Sequence, residues 1–178
     1  MGVLHLDAHA DLRDAYEGFT HSHASVLRNV MERVPGVARL VQVALRDVSD
    51  DEVAYIERSR GRVVAHHDAL LAAARFEGET WAAQVRRIVE PLPREVYLTF
   101  DIDGLDPTLC PHTGTPVPGG LSFQEACALV AGVVKSGRRI VGLDLVEVAP
   151  GDDGGEWDGN VGARLLYKMI GWMLKSAA

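Results

Sequence analysis

The 178-residue sequence has only two cysteines, Cys110 and Cys127, and they lack the C-x-x-C spacing of thiolate metal sites. Neither a disulfide framework nor a thiolate site is therefore predicted, and a reducing, cytoplasmic location is expected. The sequence also has no apolar stretch of the roughly 18 residues that a membrane helix needs. Its first residues lack the basic and apolar regions of a secretion signal. We therefore expect a protein that is neither secreted nor anchored.

Basic residues are also in short supply. The sequence has 18 Lys and Arg against 25 Asp and Glu, a formal net charge of -7, and no Lys/Arg cluster of useful length. Nucleic acids and anionic membranes require a basic face, so neither partner is expected and a small-molecule substrate is favoured. With 47% hydrophobic residues, the length predicts one globular domain over residues 1–178.

Apolar segments alternate with amphipathic ones along the chain. Short runs rich in β-branched residues predict strands at 3–6, 37–43, 63–64, 96–100 and 140–146. Amphipathic or alanine-rich segments predict helices at 24–33, 50–59, 80–90, 122–136 and 161–175. Strands that are apolar on both faces predict an α/β fold with a mostly parallel sheet covered on both sides. Residues 105–121, rich in Pro and Gly, are interpreted as an ordered active-site loop.

Five metal-binding side chains follow two of the predicted strands: Asp7, His9, Asp11, Asp101 and Asp103. Residues two apart in an extended chain share a face, and ligands gather where parallel strands end. Oxygen ligands with one imidazole and no thiolate favour Mn²⁺ or Mg²⁺ over structural Zn²⁺, and manganese is preferred here. Two such ions about 3.5 to 4 Å apart lower the pKa of a shared water, which indicates metal-assisted hydrolysis.

Five motifs in this order resemble the ureohydrolases, the arginase and agmatinase superfamily. They are Asp7-Ala8-His9-Ala10-Asp11, Ser22-His23-Ala24-Ser25, Thr99-Phe100-Asp101-Ile102-Asp103-Gly104-Leu105-Asp106-Pro107, Thr113-Gly114-Thr115-Pro116 with Gly119-Gly120-Leu121, and Asp144-Leu145-Val146-Glu147-Val148. The resemblance implies a three-layer arginase-like fold with a mostly parallel sheet, of which residues 1–178 are the C-terminal portion and the N-terminal strands are missing. It also implies a homo-oligomer, and a sheet edge left open by the missing strands could pair with another chain.

The resemblance assigns each metal ligand a role. Asp7 and Asp101 would bridge two manganese ions, His9 and Asp103 would bind one of them, and Asp11 would bind the other. Asp11 would also hydrogen-bond the bridging hydroxide that attacks the substrate.

The same resemblance assigns the substrate contacts. His23 would carry a proton to the leaving group, and Glu147 would bind the guanidinium. The loop after the first motif looks like the agmatinase version. Its acids Asp14 and Glu17 suit the ammonium of agmatine. The expected reaction is hydrolysis of agmatine to putrescine and urea, with arginase or guanidinobutyrase activity as alternatives.

Two other interpretations stay open. The family's upstream Gly-Gly-x-His-Ser segment, whose histidine completes one manganese site, is absent, so the chain could be an inactive metal-binding remnant or subunit. The segment around Asp101 and Asp103 also resembles aspartyl-phosphate phosphatases, with Asp101 as nucleophile and Asp103 as acid/base. That motif expects Thr where Leu105 stands.

Three further expectations concern residues outside these roles. His5 alternates with Asp7 along the strand and could donate to a ligating carboxylate from beneath the metals. His112 is interpreted as a loop histidine with no assigned role. The acids Asp152, Asp153, Glu156 and Asp158 are interpreted as a solvated loop.

Overall fold

The computed structural model describes residues 1–151 and 154–177. Within them, the strands are β1 Gly2–Leu6, β2 Arg39–Leu45, β3 Val63–His67, β4 Glu95–Asp101 and β5 Arg139–Val146. The helices are α1 Val26–Arg33, α2 Asp50–Arg58, α3 Asp68–Phe76, α4 Trp81–Val89, α5 Phe123–Lys135 and α6 Trp157–Ala177. A short 3-10 turn at His23–Ser25 precedes α1, and another at Ile102–Gly104 follows β4 directly.

The strands form one parallel sheet in the order β3-β2-β1-β4-β5. Leu6, the last residue of β1, pairs with Phe100 of β4, so Asp7 and Asp101 come side by side at the carboxyl edge. The predicted α/β class with a mostly parallel sheet is confirmed.

Helices cover both faces of this sheet, which gives three layers. Alternate β1 side chains enter opposite cores: Leu4 and Leu6 pack in one cluster and Val3 in the other. The larger cluster takes side chains from α3, α4, α5 and α6, and the smaller one from α1 and α2. The carboxyl edge of the sheet is therefore supported by packed cores on both faces.

The two largest differences from the sequence-based expectation concern helices. Helix α3 was not predicted, because Asp68–Phe76 follows β3 without a linker and its alanine-rich stretch is only nine residues long. Helix α6 begins at Trp157 rather than at residue 161. Asp158 therefore lies in the first helical turn instead of a loop.

The expectation that Asp158 is solvated was wrong. Its side chain is 1% exposed; Oδ1 lies 2.8 Å from His112 Nδ1, and Oδ2 accepts from the His112 main-chain NH at 3.0 Å. His112 thus joins the loop that follows β4 to α6, a role the sequence did not indicate. Asp152 and Asp153 lie outside the described residues, and Glu156 is exposed.

Strand β5 forms one edge of the sheet, and its Val141 and Val146 are exposed. Among the helices of the described residues, none is both long enough and apolar enough to cross a membrane.

Candidate metal centre

The first acidic motif leaves β1 with its side chains turned toward the end of β4. The Asp7 carboxylate is buried, and its Oδ1 accepts from the His9 main-chain NH at 2.6 Å. The Nδ1 atom of His9 lies 3.3 Å from Asp7 Oδ1 and 3.0 Å from Asp103 Oδ2. One imidazole nitrogen therefore faces carboxylates from two different strand ends.

The second motif forms the tight turn Ile102–Gly104. Asp101 Oδ1 accepts from the Asp103 NH at 2.9 Å, and Asp103 Oδ1 accepts from the Ala8 NH at 3.0 Å. A Cβ on Gly104 would lie 2.9 Å from the Asp7 nitrogen, closer than real Cβ atoms approach backbone. Glycine at position 104 therefore permits the turn to reach β1 and bring the two motifs together.

Asp11 completes the first motif in a left-handed backbone conformation, with φ at 55°. Its carbonyl accepts from the NH groups of Leu27 and Arg28 at 3.1 and 3.3 Å, where α1 begins. The buried Glu52 accepts from the Leu12 NH at 2.9 Å and fixes the next residue. A non-glycine residue at positive φ persists only where its surroundings hold it, and these contacts supply that restraint.

The crowding of carboxylates shifts their pKa values strongly. Burial and the nearby Asp7 and Asp103 raise the pKa of Asp101 to about 9, and burial with Asp7 raises that of Asp11 to about 7. Hydrogen bonds from the His9 imidazole to the carboxylates of Asp103 and Asp7 raise the pKa of His9 to about 10. Without a cation, these groups retain protons that offset their mutual repulsion.

His5 lies beneath this cluster, and the contact predicted for it is confirmed. Its Nε2 is 2.8 Å from Asp7 Oδ2, while its Nδ1 is 3.0 Å from Gln42 Nε2. Gln42 Nε2 also donates to the Ala10 carbonyl at 2.7 Å, which identifies it as the amide nitrogen. It can therefore donate to His5 Nδ1, which leaves His5 Nε2 to donate to Asp7. Burial alone would raise the pKa of Asp7, but His5 and His9 outweigh it and hold that pKa below its ordinary value.

The donor set fits a divalent cation that prefers oxygen and imidazole ligands. Ligand atoms of Asp7, His9 and Asp103 lie within 4.8 Å of one another, and so do those of His5, Asp7 and Asp11. A bound cation would take over the charge compensation that protons provide to Asp101 and Asp11. Four of the five predicted ligands, Asp7, His9, Asp11 and Asp103, thus belong to these two groups, and Asp101 lines the same cleft as Asp7.

These residues open into a cleft of about 700 Å³. Its lining includes the predicted metal ligands Asp7, His9, Asp11 and Asp101, and also His23 and Glu147. Glu147 follows β5 directly and has φ at 61°, a left-handed conformation at the edge of the cleft. The residues predicted to carry a proton and to bind the guanidinium therefore share one cavity with the predicted metal ligands.

A search against protein families matches residues 1–171 to the model described as the arginase family. The chain belongs to the arginase family. An N(1)-aminopropylagmatine ureohydrolase from Thermus thermophilus is 37% identical over 95% of this chain and 53% of that protein. An agmatinase from Halalkalibacterium halodurans is 33% identical over 97% of this chain and 56% of that protein.

Solved structures show the same arginase-family fold. The crystal structure of a hypothetical agmatinase from Burkholderia thailandensis matches with a TM-score of 0.78 and 30% identity, covering 100% of this chain and 53% of that one. This arginase-family chain therefore spans about half the length of the relatives it matches.

Family membership argues against the phosphatase interpretation of Asp101 and Asp103, because the arginase family model matches residues 1–171.

The loop after the first motif differs from its expected arrangement in the arginase-family cleft. Asp14 lies 3.3 Å from Arg28 and, like Glu17, is absent from the residues that line the cleft. Arg13 and Tyr16 line it instead, and the Tyr16 ring packs edge-on against His23 at 5.3 Å between centroids. Neither Arg13 nor Tyr16 was identified from the sequence, because a single arginine and a single tyrosine carry no spacing signal.

Glu52 is a further site residue that sequence reasoning missed, although a signal for it exists. Ser49 and Glu52 have the S-x-x-E spacing of a capping box, and Glu52 Oε2 accepts from the Ser49 NH and hydroxyl at 2.9 and 2.8 Å. Its second oxygen, Oε1, holds the Leu12 NH. The cap of α2 therefore also positions the first metal motif.

Proposed function

We propose that this chain carries the manganese site of a ureohydrolase and hydrolyses a guanidino compound, with agmatine as the favoured substrate. The observation that carries the proposal is the position of His9 Nδ1 between Asp7 Oδ1 and Asp103 Oδ2, at the ends of two adjacent strands. The names of arginase-family relatives, a ureohydrolase and an agmatinase, support the reaction class.

Asp7, His9, Asp11, Asp101 and Asp103 would hold the manganese. Such ions supply an activated water at neutral pH, which the poorly electrophilic guanidinium carbon requires. The Asp11 carboxylate, at the cleft surface, is suited to accept a hydrogen bond from the attacking water and hold it in line.

Glu147 and His23 would act on the substrate itself. A carboxylate matches the planar, cationic guanidinium and can accept two parallel hydrogen bonds from it. An imidazole can pass a proton to the departing amine, a step that commonly contributes about 10² to 10⁴ in rate. Tyr16 packs against His23 and restricts its orientation.

The charge of the cleft favours agmatine among the candidate substrates. Three carboxyl side chains in the lining are not proposed metal ligands, and they outnumber the single Arg13: they are Asp47, Glu52 and Glu147. An acidic wall attracts a doubly cationic amine and disfavours a substrate that ends in a carboxylate. Asp14 and Glu17 remain predicted contacts for the substrate ammonium. Their carboxylates would contact it only if the loop that carries them turned into the cleft.

Urea release with added Mn²⁺ tests the proposal, using agmatine, arginine and guanidinobutyrate as substrates. We expect urea from agmatine in preference to the other two. Glu147→Gln should lower kcat/KM about 100-fold through lost guanidinium binding, and His23→Asn should lower kcat by about 10²-fold or more. Glu77→Gln, at the exposed end of α3, is the control and should change neither.

A second candidate is a metal-binding subunit without turnover of its own, because the chain spans about half the length of its relatives. Mn²⁺ binding with no urea from any of the three substrates would support this candidate and overturn hydrolysis by the isolated chain.

We also propose that the chain forms a homo-oligomer. The edge strand β5 has no neighbouring strand on one side within the described residues, and such an edge favours pairing with another chain. A monomeric mass by light scattering at micromolar concentration would contradict it.

A further inference from the structure

Arg46 connects three segments around the metal centre. It follows the last residue of β2, and its main-chain NH donates to the Ala8 carbonyl at 2.8 Å, inside the first acidic motif. Its guanidinium donates to the carbonyls of Ala44, Asp103, Leu105 and Val117. One side chain thus holds the end of β2, the turn after β4 and the far side of the 105–121 loop.

The distances identify these contacts as hydrogen bonds. Nη2 lies 2.6 Å from the Asp103 oxygen, 3.2 Å from that of Leu105 and 2.9 Å from that of Val117. Nε lies 3.1 Å from the Val117 oxygen, and Nη1 lies 3.0 Å from that of Ala44. In the described part of the chain, Arg46 forms no ion pair with a carboxylate. Its guanidinium donates to main-chain carbonyls instead.

Local backbone geometry is adapted to this arrangement. Ala44 has φ at 74°, which is unfavourable for an alanine, and the sheet register shifts between Val43 and Leu45. That bulge is where the Ala44 carbonyl meets Nη1 of Arg46. On the loop, Gly120 has φ at 98°, and a Cβ there would lie 3.0 Å from Arg46 Nη2. The loop therefore packs directly against the guanidinium.

The segments held by Arg46 carry groups of the candidate site. The Asp103 carbonyl is bound by Arg46 while its carboxylate faces His9 Nδ1 at 3.0 Å, so the residue is held from both sides. The loop bound through Val117 brings Gly114 and Thr115 into the lining of the cleft. A Cβ on Gly114 would lie 3.6 Å from Glu147 Oε2, which places this loop opposite the proposed guanidinium ligand.

We propose that Arg46 is a positioning residue of the metal centre, which acts through the Asp103 carbonyl and the 105–121 loop to hold Asp103 and the cleft wall in place. A planar guanidinium with five donors suits this task. Lysine has three donors on one tetrahedral nitrogen and cannot reach carbonyls on three sides. The expected effect of Arg46 on Mn²⁺ affinity rests on the proposed function. Its restraint of the 105–121 loop does not.

Mn²⁺ affinity and amide hydrogen exchange together test this role. We expect Arg46→Ala and Arg46→Lys to bind Mn²⁺ about 10- to 100-fold more weakly than the parent, the range found when groups supporting a metal ligand are removed. Millimolar methylguanidinium should restore part of the affinity of Arg46→Ala and none of that of Arg46→Lys. In the metal-free protein, amides of residues 105–121 should exchange faster in both variants.

Arg138→Ala is the matched control. Arg138 donates to the carbonyls of Leu92 and Glu90 at 2.8 Å each, at the opposite end of the sheet. The Arg138→Ala variant should lose stability but keep its Mn²⁺ affinity. This result would separate a specific role of Arg46 from general destabilisation. Circular dichroism confirms folding, and Arg46→Lys serves if Arg46→Ala does not fold.

Each result decides the question. Arg46 variants that bind Mn²⁺ as tightly as the parent, or an equal loss in Arg138→Ala, would overturn the proposal. If the parent itself binds no Mn²⁺, the proposed function fails, and loop exchange alone decides the role of Arg46. Unchanged exchange of residues 105–121 in Arg46→Lys would then overturn it, and faster exchange would support it.

Discussion

The Nδ1 atom of His9 lies 3.0 Å from Oδ2 of Asp103, which joins the segments that follow β1 and β4. The contact depends on Gly104, where the turn approaches the backbone of Asp7 too closely for a side chain. Cation binding at this point would therefore couple the two adjacent strands of the sheet. Changes that move either segment should alter metal affinity and stability together.

Gly104→Ala tests the close approach of the turn. The added methyl would lie 2.9 Å from the Asp7 nitrogen. Both atoms are fixed by the backbone, so no side-chain rotation can relieve the clash. We expect a loss of about 1 to 3 kcal/mol in the free energy of unfolding, with weaker Mn²⁺ binding. Gly171→Ala, where nothing lies within 4 Å on α6, should instead add about 0.5 to 1 kcal/mol. Urea denaturation measures both, and equal effects would contradict the steric argument.

Glu52→Ala tests whether the cap of α2 supports the first metal motif. Removing the carboxylate leaves the buried Leu12 NH without its acceptor, at a cost of about 1 to 3 kcal/mol. Glu125 forms the same box with Ser122 at the start of α5, without a contact to the motif. We expect both alanine variants to lose stability but only Glu52→Ala to lose Mn²⁺ affinity. Calorimetric titration that shows equal affinity in the two variants would refute this role for Glu52.

Asp158→Asn tests the link between α6 and the 105–121 loop. Burial alone would raise the pKa of Asp158, but hydrogen bonds from His112 outweigh it, so the folded-state pKa is lowered. A lowered carboxyl pKa stabilises the fold at pH values above the unfolded pKa of about 3.9, and this stabilisation disappears as pH falls through the folded value.

At pH 7, Asp158→Asn should therefore cost about 1 to 2 kcal/mol in the free energy of unfolding. The difference from the parent should shrink as pH is lowered below about 4. Glu156→Gln, an exposed neighbour, should have no comparable effect. A stability difference that does not change between about pH 7 and pH 3 would show that Asp158 acts through packing rather than charge.

The sequence predicted the parts of the site that depend on strand ends. Asp7 and Asp101 follow apolar strands, and parallel strands end at the same edge, so their proximity could be anticipated. The family resemblance then added His23 and Glu147, which line the same cleft. These predictions needed only the local pattern and the resemblance.

Residues that act through long-range backbone contacts could not be anticipated. Arg46 looks like any arginine after a strand, and its role depends on carbonyls of Asp103 and Val117 that only the folded loop brings near. Asp158 was interpreted as solvated because the start of α6 was placed four residues too late. The local sequence there is rich in Gly and acids, and the buried contact with His112 comes from another element.

Titration calorimetry with Mn²⁺ tests the central claim, that the side chains at the ends of β1 and β4 form a divalent-metal centre. The account predicts saturable Mn²⁺ binding by the parent and by Asp106→Asn, whose carboxylate accepts from the NH and hydroxyl of Thr108 on the loop. It predicts at least about a 10-fold loss of affinity in Asp103→Asn. Equal binding by Asp103→Asn and the parent, or no binding by the parent, would contradict the account.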